Sequence, residues 1–493
     1  MFTQYENKKN GLVTKPFFST TFSVDIESNW LTYKISFSKK GWYSIFLWDP
    51  KNQLRSQSLY INQEKEITIS ANPDKTSFSS ISGKLPAGEW TLEILTPTYK
   101  ASPTFYFDYD FGIELEEVKT RTSKNWAEPN PGGFTLSYFD FNKIYNSEAK
   151  WYKGDFHTHT NESDGKLTPM EGLHQAKRMG LDFFTATDHN ILPSKWIDDP
   201  DMMIVPGVEI TSSKGHFNAL GLSKWIDWRP ICKDGGMETE EGMNRVINEA
   251  RNSGAIISIN HPMLKPWEWQ FTETKLSLID VIEIWNDPTY KDNPLATEEA
   301  LAFWNTLWND GHRIYGIGGS DSHLLPTESY EKGGPPSLIG DPATYIKLNE
   351  LSPSSLLEGI LQGEVYVSRG PVLDFHLEME GKYINISNVD LREYHTGIEP
   401  TEFTYSVTYR NVKPESFIHW ILNGVEISKE PVYQDGTLKK TFSWSKDAYN
   451  WLRFEIREAD GTLSAFNNPI FQGEKRPSLQ TWGECMKDAS LIK

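Results

Sequence analysis

The residues able to do chemistry in this chain gather between Trp151 and His323. His157-Thr158-His159 follows the apolar run from Trp151 to Phe156, and Asp164 comes five residues after His159. Thr187-Asp188-His189-Asn190 closes the run FFTA, Glu209 stands in VPGVEI, and His216 opens HFNALGL. His261 ends the run IISINH, and Asp321-Ser322-His323 follows GIGG. Along a strand, residues i and i+2 point to one face, so the imidazoles of His157 and His159 can reach a single ion. Asp321 and His323 form a second pair of this kind. Imidazole and carboxylate without thiolate suit Zn²⁺, Mn²⁺ or Fe²⁺. His157, His159, Asp164, His189, Glu209, His216, His261, Asp321 and His323 suffice for two or three divalent ions with shared carboxylates. One His-x-His is commonly incidental; two such pairs plus isolated ligands at strand ends of one segment indicate a metal centre. By the same standard His174, His312, His376, His395 and His419 fall in helical, loop or sandwich contexts and read as structural or surface residues.

Ligands so scattered need a scaffold that brings strand ends together. From Trp151 to about 370, short β runs near 154–159, 183–188, 203–210, 216–222, 255–260, 280–285 and 314–319 alternate with helical segments. Thr168-Pro169-Met170-Glu171 announces one helix, with Thr as N-cap, Pro at the first position and Glu three after the cap. Met243, Val246, Ile247 and Ala250 share the face of a second. A third covers about 295–310 and stops at Gly311; a fourth starts at Ser352-Pro353. This alternation predicts a parallel α/β barrel or a related closed sheet, whose C-terminal strand ends meet on one face. Residues 1–120 instead alternate apolar and polar positions in short runs and predict an independent β-sandwich without metal ligands. A linker spans 121–150, broken by Pro129-Asn130-Pro131-Gly132-Gly133. The central unit runs over 151–371, a second β-sandwich over 372–475, and a tail over 476–493.

The 493 residues are 38% hydrophobic and 24% charged, with 18 Trp, 21 Tyr and 26 Phe. That is a globular composition with aromatic-rich cores. A net charge of −18 without a Lys/Arg run excludes duplex nucleic acid as an expected partner. Two distant cysteines, Cys232 and Cys485, give neither a disulfide framework nor a thiolate site. No apolar run is long enough to span a bilayer and no secretory h-region opens the chain, so a cytoplasmic location without membrane association is expected. Nothing in the sequence sets the oligomeric state.

The segments GDFHTHTNESDGKLTP, LDFFTATDHN, VPGVEIT, GHFNALGL, INHP and GGSDSH, in this order over 151–325, resemble the metal motifs of the PHP (polymerase and histidinol phosphatase) superfamily. The segment GEVYVSRGP leading into a β domain is similar to the CehA/McbA-like branch. The resemblance implies a multidomain protein whose central α/β unit is a distorted (β/α)7 barrel flanked by all-β sandwiches. It also implies an allocation: a first ion on His157, His159, Glu209 and Asp321, a second on bridging Glu209 with His216 and His261, a third on Asp164, His189 and His323. Some relatives carry His where this chain has Asp164, which alters the third site.

The chemistry that follows is hydrolysis of a small-molecule substrate by water activated between ions. A phosphate mono- or diester is the leading expectation, with Asp321, Glu209 and Arg369 as catalytic residues. Arg369, and with it Lys265, would clamp the phosphate. The alternative is a carbamate, ester or amide hydrolase, with Trp267 and Trp269 as an aromatic wall. A third possibility is a glycan- or partner-binding module with the barrel as scaffold.

Overall fold

The computed structural model describes residues 7–61, 64–96, 102–113, 123–384, 386, 390–394, 400–445 and 447–491. His395 lies outside them. Seven strands of the central segment lie side by side in chain order: Lys150–Thr158, Phe183–Ala186, Met203–Ser212, Gly215–Leu220, Ile256–Ile259, Val281–Asn286 and Tyr315–Gly319. The first three are mutually parallel, as are the last three. Gly215–Leu220 runs antiparallel to both its neighbours. The seventh strand's exit returns to the first, because Asp321 N–H donates to the His157 carbonyl at 2.8 Å and Thr158 bridges Ser322.

A regular (β/α)7 alternation is not shown. Helices α1 (Pro169–Arg178), α2 (Glu240–Asn252) and α3 (Asn293–Asp310) follow the first, fourth and sixth strands. Between Met203–Ser212 and Gly215–Leu220 there are only Ser213 and Lys214. A link that short can only return the chain antiparallel, since a parallel crossover needs a dozen residues or more. The helix signals in the sequence correspond to formed caps. Thr168 and Glu171 make a reciprocal capping box, Gly311 ends α3 at φ 97°, and Ser352 caps α4 (Pro353–Gln362). Met243, Val246, Ile247 and Ala250 are the buried face of α2.

The N-terminal segment forms two antiparallel four-stranded sheets, in the strand orders Asn7–Leu12, Thr104–Gly112, Trp30–Phe37, Lys65–Ser70 and Phe17–Val24, Gly88–Leu95, Tyr43–Trp48, Leu54–Tyr60. Its own core includes Leu31, Tyr33, Ile45, Trp90, Leu92 and Phe107. It does not stand apart from the central unit. Trp48 packs edge-on against Trp225 at 5.6 Å, Arg229 lies 4.7 Å over the Trp48 ring and pairs with Glu93, and Lys65 Nζ donates to the Glu162 carbonyl at 2.8 Å.

The C-terminal β region is joined to the central sheet through backbone pairing. Ala343–Leu348 pairs with Lys150–Thr158, Val365–Ser368 with Ala343–Leu348, and Leu463–Asn467 with Val365–Ser368, so one 14-stranded sheet runs through both regions. The tail carries a helix, α5 (Trp482–Asp488), whose Trp482 is fully buried and packs on Phe303 of α3 at 4.3 Å. Trp482→Ala is therefore expected to cost about 3–5 kcal/mol, read as a lower urea midpoint at unchanged m-value. Among the described residues no helix is long and apolar enough to cross a membrane.

Candidate metal centre

The strand directions explain where each ligand sits. His157 and His159 leave the first strand, His189 follows the second, and Glu209 lies near the end of the third. His261 follows the fifth strand; Asp321 and His323 follow the seventh. His216 lies at the start of its strand, and because that strand is reversed its start falls at the same end of the sheet. Three of these corners hold a non-glycine residue at positive φ: Asn190 at 53°, His261 at 29° and Asp321 at 47°. L-residues enter this region at a cost that the surrounding structure must meet, and such residues cluster at functional sites.

Glu209, fully buried, is the hub. Its carboxylate lies 3.2 Å from His157 Nε2, 3.5 Å from His159 Nε2, 2.6 Å from His189 Nδ1, 3.2 Å from His216 Nδ1 and 3.4 Å from His261 Nε2. Asp321 Oδ1 lies 3.2 Å from His157 Nε2 and 3.0 Å from His159 Nε2. Asp164 Oδ1 lies 3.3 Å from His189 Nε2 and 3.1 Å from His323 Nε2. Four groups with ligand atoms within 4.8 Å of one another result: His159, Asp164, His189 and His323; His157, His159 and Asp321; His157, Glu209 and His261; His189, Glu209 and His216. All nine sequence-derived ligands thus come together. The grouping differs from the implied allocation in that His159 joins the Asp164 group, while His216 and His261 approach Glu209 in separate groups.

The residues fit divalent ions. His157 Nε2, His159 Nε2, Asp164 Oδ1, His216 Nδ1 and Asp321 Oδ1 are buried and, among the described residues, have no hydrogen-bond partner, although buried polar atoms are ordinarily satisfied. The electrostatics agree. Burial opposes the charged form of Glu209, yet His157, His189 and His216 outweigh it and hold the carboxyl well below its usual range. Asp321 is held low against burial in the same way, chiefly by His157. Burial would push His323 down, but Asp164 and Asp321 raise it to about 10. His159 goes the other way, to about 4, through burial and the neighbouring His323 and His189. Anionic carboxylates facing crowded imidazoles are an arrangement in which a divalent ion can replace the protons.

A supporting layer orients these ligands. Glu283 sits 3.0 Å from His157 Nδ1 and accepts from His261 N–H at 2.8 Å, and Asn286 Nδ2 donates to Glu283 at 3.0 Å. Asn260 Nδ2 donates to Glu209 at 2.9 Å. Asp188 accepts from Thr160 N–H at 2.8 Å and from Ser163 Oγ at 2.5 Å, fixing the loop that carries Asp164. A Cβ on Gly319 would stand 2.4 Å from both Glu283 Oε1 and the His157 Cβ, so this position must be glycine for the pair to meet. Carboxylates that orient a ligating histidine matter strongly to metal retention. Glu283→Gln is expected to lower metal affinity by roughly 10–100-fold with the fold intact, measured by competition against a chelator.

Above the ligands opens a cavity of about 540 Å³. Its walls include Trp42, Trp267, Tyr290 and Tyr330; Tyr290 meets Trp267 at 6.0 Å and Tyr330 at 5.3 Å. Trp42 comes from the N-terminal sandwich and stands edge-on to the His189 ring at 5.3 Å. Three sequence expectations need correction. Arg369 is not among the lining residues; its Nε donates to Asp341 at 2.9 Å and its backbone N–H to Ser464. Lys265 is exposed and does not line the cavity, although Leu264, Pro266 and Trp267 beside it do. Trp269 is buried, donates to Thr274 Oγ1 at 3.1 Å and packs on Phe271 and Trp482, so it belongs to the core. Trp42, Tyr290 and Tyr330 were not visible as site residues, because isolated aromatics in an aromatic-rich chain carry no spacing signal.

Neither a family model nor a curated protein matches the sequence. Among solved structures, a two-domain protein from Bacteroides vulgatus containing a predicted PHP-like metal-dependent phosphoesterase is similar at 18% identity, covering 68% of this chain and 99% of its own, with a TM-score of 0.36. A candidate metal-dependent phosphoesterase from Bifidobacterium adolescentis is similar at 15% identity over 38% of this chain and 92% of its own, with a TM-score of 0.23. An amidohydrolase from Chromobacterium violaceum with bound sulfate and no metal is similar at 14% identity over 36% of this chain and 89% of its own, with a TM-score of 0.22. Scores this low leave the chemistry to be read from the residues themselves.

Proposed function

We propose that this chain is a metal-dependent hydrolase of the PHP type acting on a small phosphate mono- or diester. The mixed seven-stranded sheet, with its last strand hydrogen bonded back to its first, is read as the distorted barrel of that superfamily. The observation that carries the reading is Glu209, a buried carboxylate within 3.5 Å of five imidazoles, flanked by Asp321 and Asp164 with unpartnered oxygens. Zn²⁺, Mn²⁺ or Fe²⁺ held by these residues would supply an acidified water and polarise the electrophile. His157, His159, Glu209 and Asp321 hold that chemistry at the sheet's end, with His216 and His261 beyond Glu209. Three carboxylates do not neutralise three divalent ions, so a filled site favours an anionic group without help from Arg369. Burial pushes the Asp287 carboxyl on the cavity wall above its ordinary range, while hydrogen bonds accepted from Thr289 and Ser337 act against that shift.

One observation favours a second reading. Among the described residues, those lining the cavity include no lysine or arginine, whereas Trp42, Trp267, Tyr290 and Tyr330 do line it. A carbamate, ester or amide suits such walls. A scaffold role is disfavoured, since all nine ligands converge. The deciding experiment pairs elemental analysis with kcat/KM for a nitrophenyl phosphate and a naphthyl carbamate at the same metal. Bound metal and faster phosphate turnover are expected; faster carbamate turnover transfers the assignment to the second reading, and a metal-free, inactive protein after metal soaking removes both.

A further inference from the structure

The cavity above the metal ligands does not end at Trp42. A second chamber of about 410 Å³ adjoins it, and the two share Leu95, Ser213, Met237 and Glu238 as walls. The far chamber is bounded by Pro16 and Phe17 of the N-terminal sandwich on one side and by Pro230 and Ile231 of the central unit on the other. We propose that this two-chamber groove is the binding site for an extended, uncharged apolar substituent of the substrate, and that the N-terminal sandwich determines specificity by supplying Trp42, Leu95 and Phe17. The inference rests on the hydrolase reading, because the groove is assigned to whatever group reacts over Glu209.

Three observations support it. The two chambers share four wall residues, and the near one is lined by the candidate ligands His189, His216, His261, Asp321 and His323, so the far one lies one wall's breadth from the cluster. Pro16, Phe17, Leu95, Pro230, Ile231 and Met237 make the far chamber's lining mainly apolar; of its two charged side chains, Glu238 accepts from Ser213 Oγ at 2.6 Å and Lys15 is exposed. The combined space is of the size that buries a drug-sized ligand. The seam that forms it is firmly held: Arg229, next to Pro230, pairs with Glu93 and stacks on Trp48, so the sandwich cannot drift away without breaking charged and aromatic contacts together.

The test uses the full, metal-loaded chain and two diesters with the same leaving group, methyl 4-nitrophenyl phosphate and octyl 4-nitrophenyl phosphate. Burial of several methylenes is expected to raise kcat/KM for the octyl diester by at least about tenfold, mainly through KM. Ile231→Glu, at an exposed position of the far chamber, and Trp42→Ala are each expected to bring the octyl-to-methyl ratio toward one with metal content unchanged. A wild-type ratio near one, or a ratio that neither variant moves, overturns the proposal. If neither diester is turned over, the diester half of the phosphoesterase reading fails, and calorimetry of octyl phosphate against methyl phosphate decides the groove by itself. Tighter octyl binding that Ile231→Glu abolishes supports it, and equal affinities overturn it.

Discussion

Glu209→Ala is expected to abolish turnover and to strip the cluster of at least one ion. Five imidazoles lie between 2.6 and 3.5 Å from this carboxylate, and two of the four candidate groups contain it. Without it, His216 and His261 have no shared anion, whereas His157, His159, His189 and His323 keep Asp321, Glu283 or Asp164. Ions that polarise a reacting oxygen contribute several kcal/mol, so a loss of roughly 10³-fold or more in kcat/KM follows. Glu209→Gln keeps the shape and the Asn260 contact region, and separates lost charge from lost packing. Elemental analysis and kinetics of both variants at saturating Mn²⁺ make the measurement. Full metal content with retained activity in either variant would contradict the role of the hub.

Metal affinity is expected to climb steeply with pH. Burial opposes charge on His157, but Asp321, Glu283 and Glu209 hold it well above the usual imidazole range; His323 is held up to about 10. Both imidazoles therefore carry protons near neutrality that an ion must displace. Each displaced proton contributes up to about tenfold in affinity per pH unit, so His323 alone gives about tenfold between pH 7 and pH 8, and His157 adds to it in the same direction. The metal-free protein should show the complementary trend. Raised imidazoles stabilise the fold fully below their unfolded value of 6.5, and that contribution is lost as pH rises toward 10. The lowered carboxyl of Glu209 acts oppositely: its contribution is present above 4.5 and is lost on acidification. Chelator competition at two pH values tests the first trend and thermal melts of the metal-free protein test the second. Affinity independent of pH would mean that these imidazoles are neutral before the ion arrives.

The ligand set was legible because strand chemistry is local. His157 and His159, and Asp321 and His323, declare themselves by i, i+2 spacing at the ends of apolar runs, and His189 and His261 by following similar runs. Asp164 sits in a loop, Glu209 stands within its strand, and His216 opens its run, which only the reversal of Gly215–Leu220 explains. The helix caps at Thr168 and Ser352 were readable for the same local reason. What could not be read depends on long-range pairing. Nothing near Arg369 in sequence announces Asp341 as its partner. Trp267 and Trp269 are equivalent by composition, yet a two-residue step turns one toward the cavity and the other into the core. The docking of Trp42 against His189 spans two regions that the alternation pattern treats as separate.

The left-handed backbone at Asn190, His261 and Asp321 has an evolutionary consequence. Each such residue costs on the order of 1–3 kcal/mol that a glycine would largely recover. On the proposed hydrolase reading, selection for catalysis and selection for stability pull in opposite directions at His261 and Asp321. A descendant relieved of its reaction would gain stability by exchanging these two residues for glycine, and drift would carry it that way.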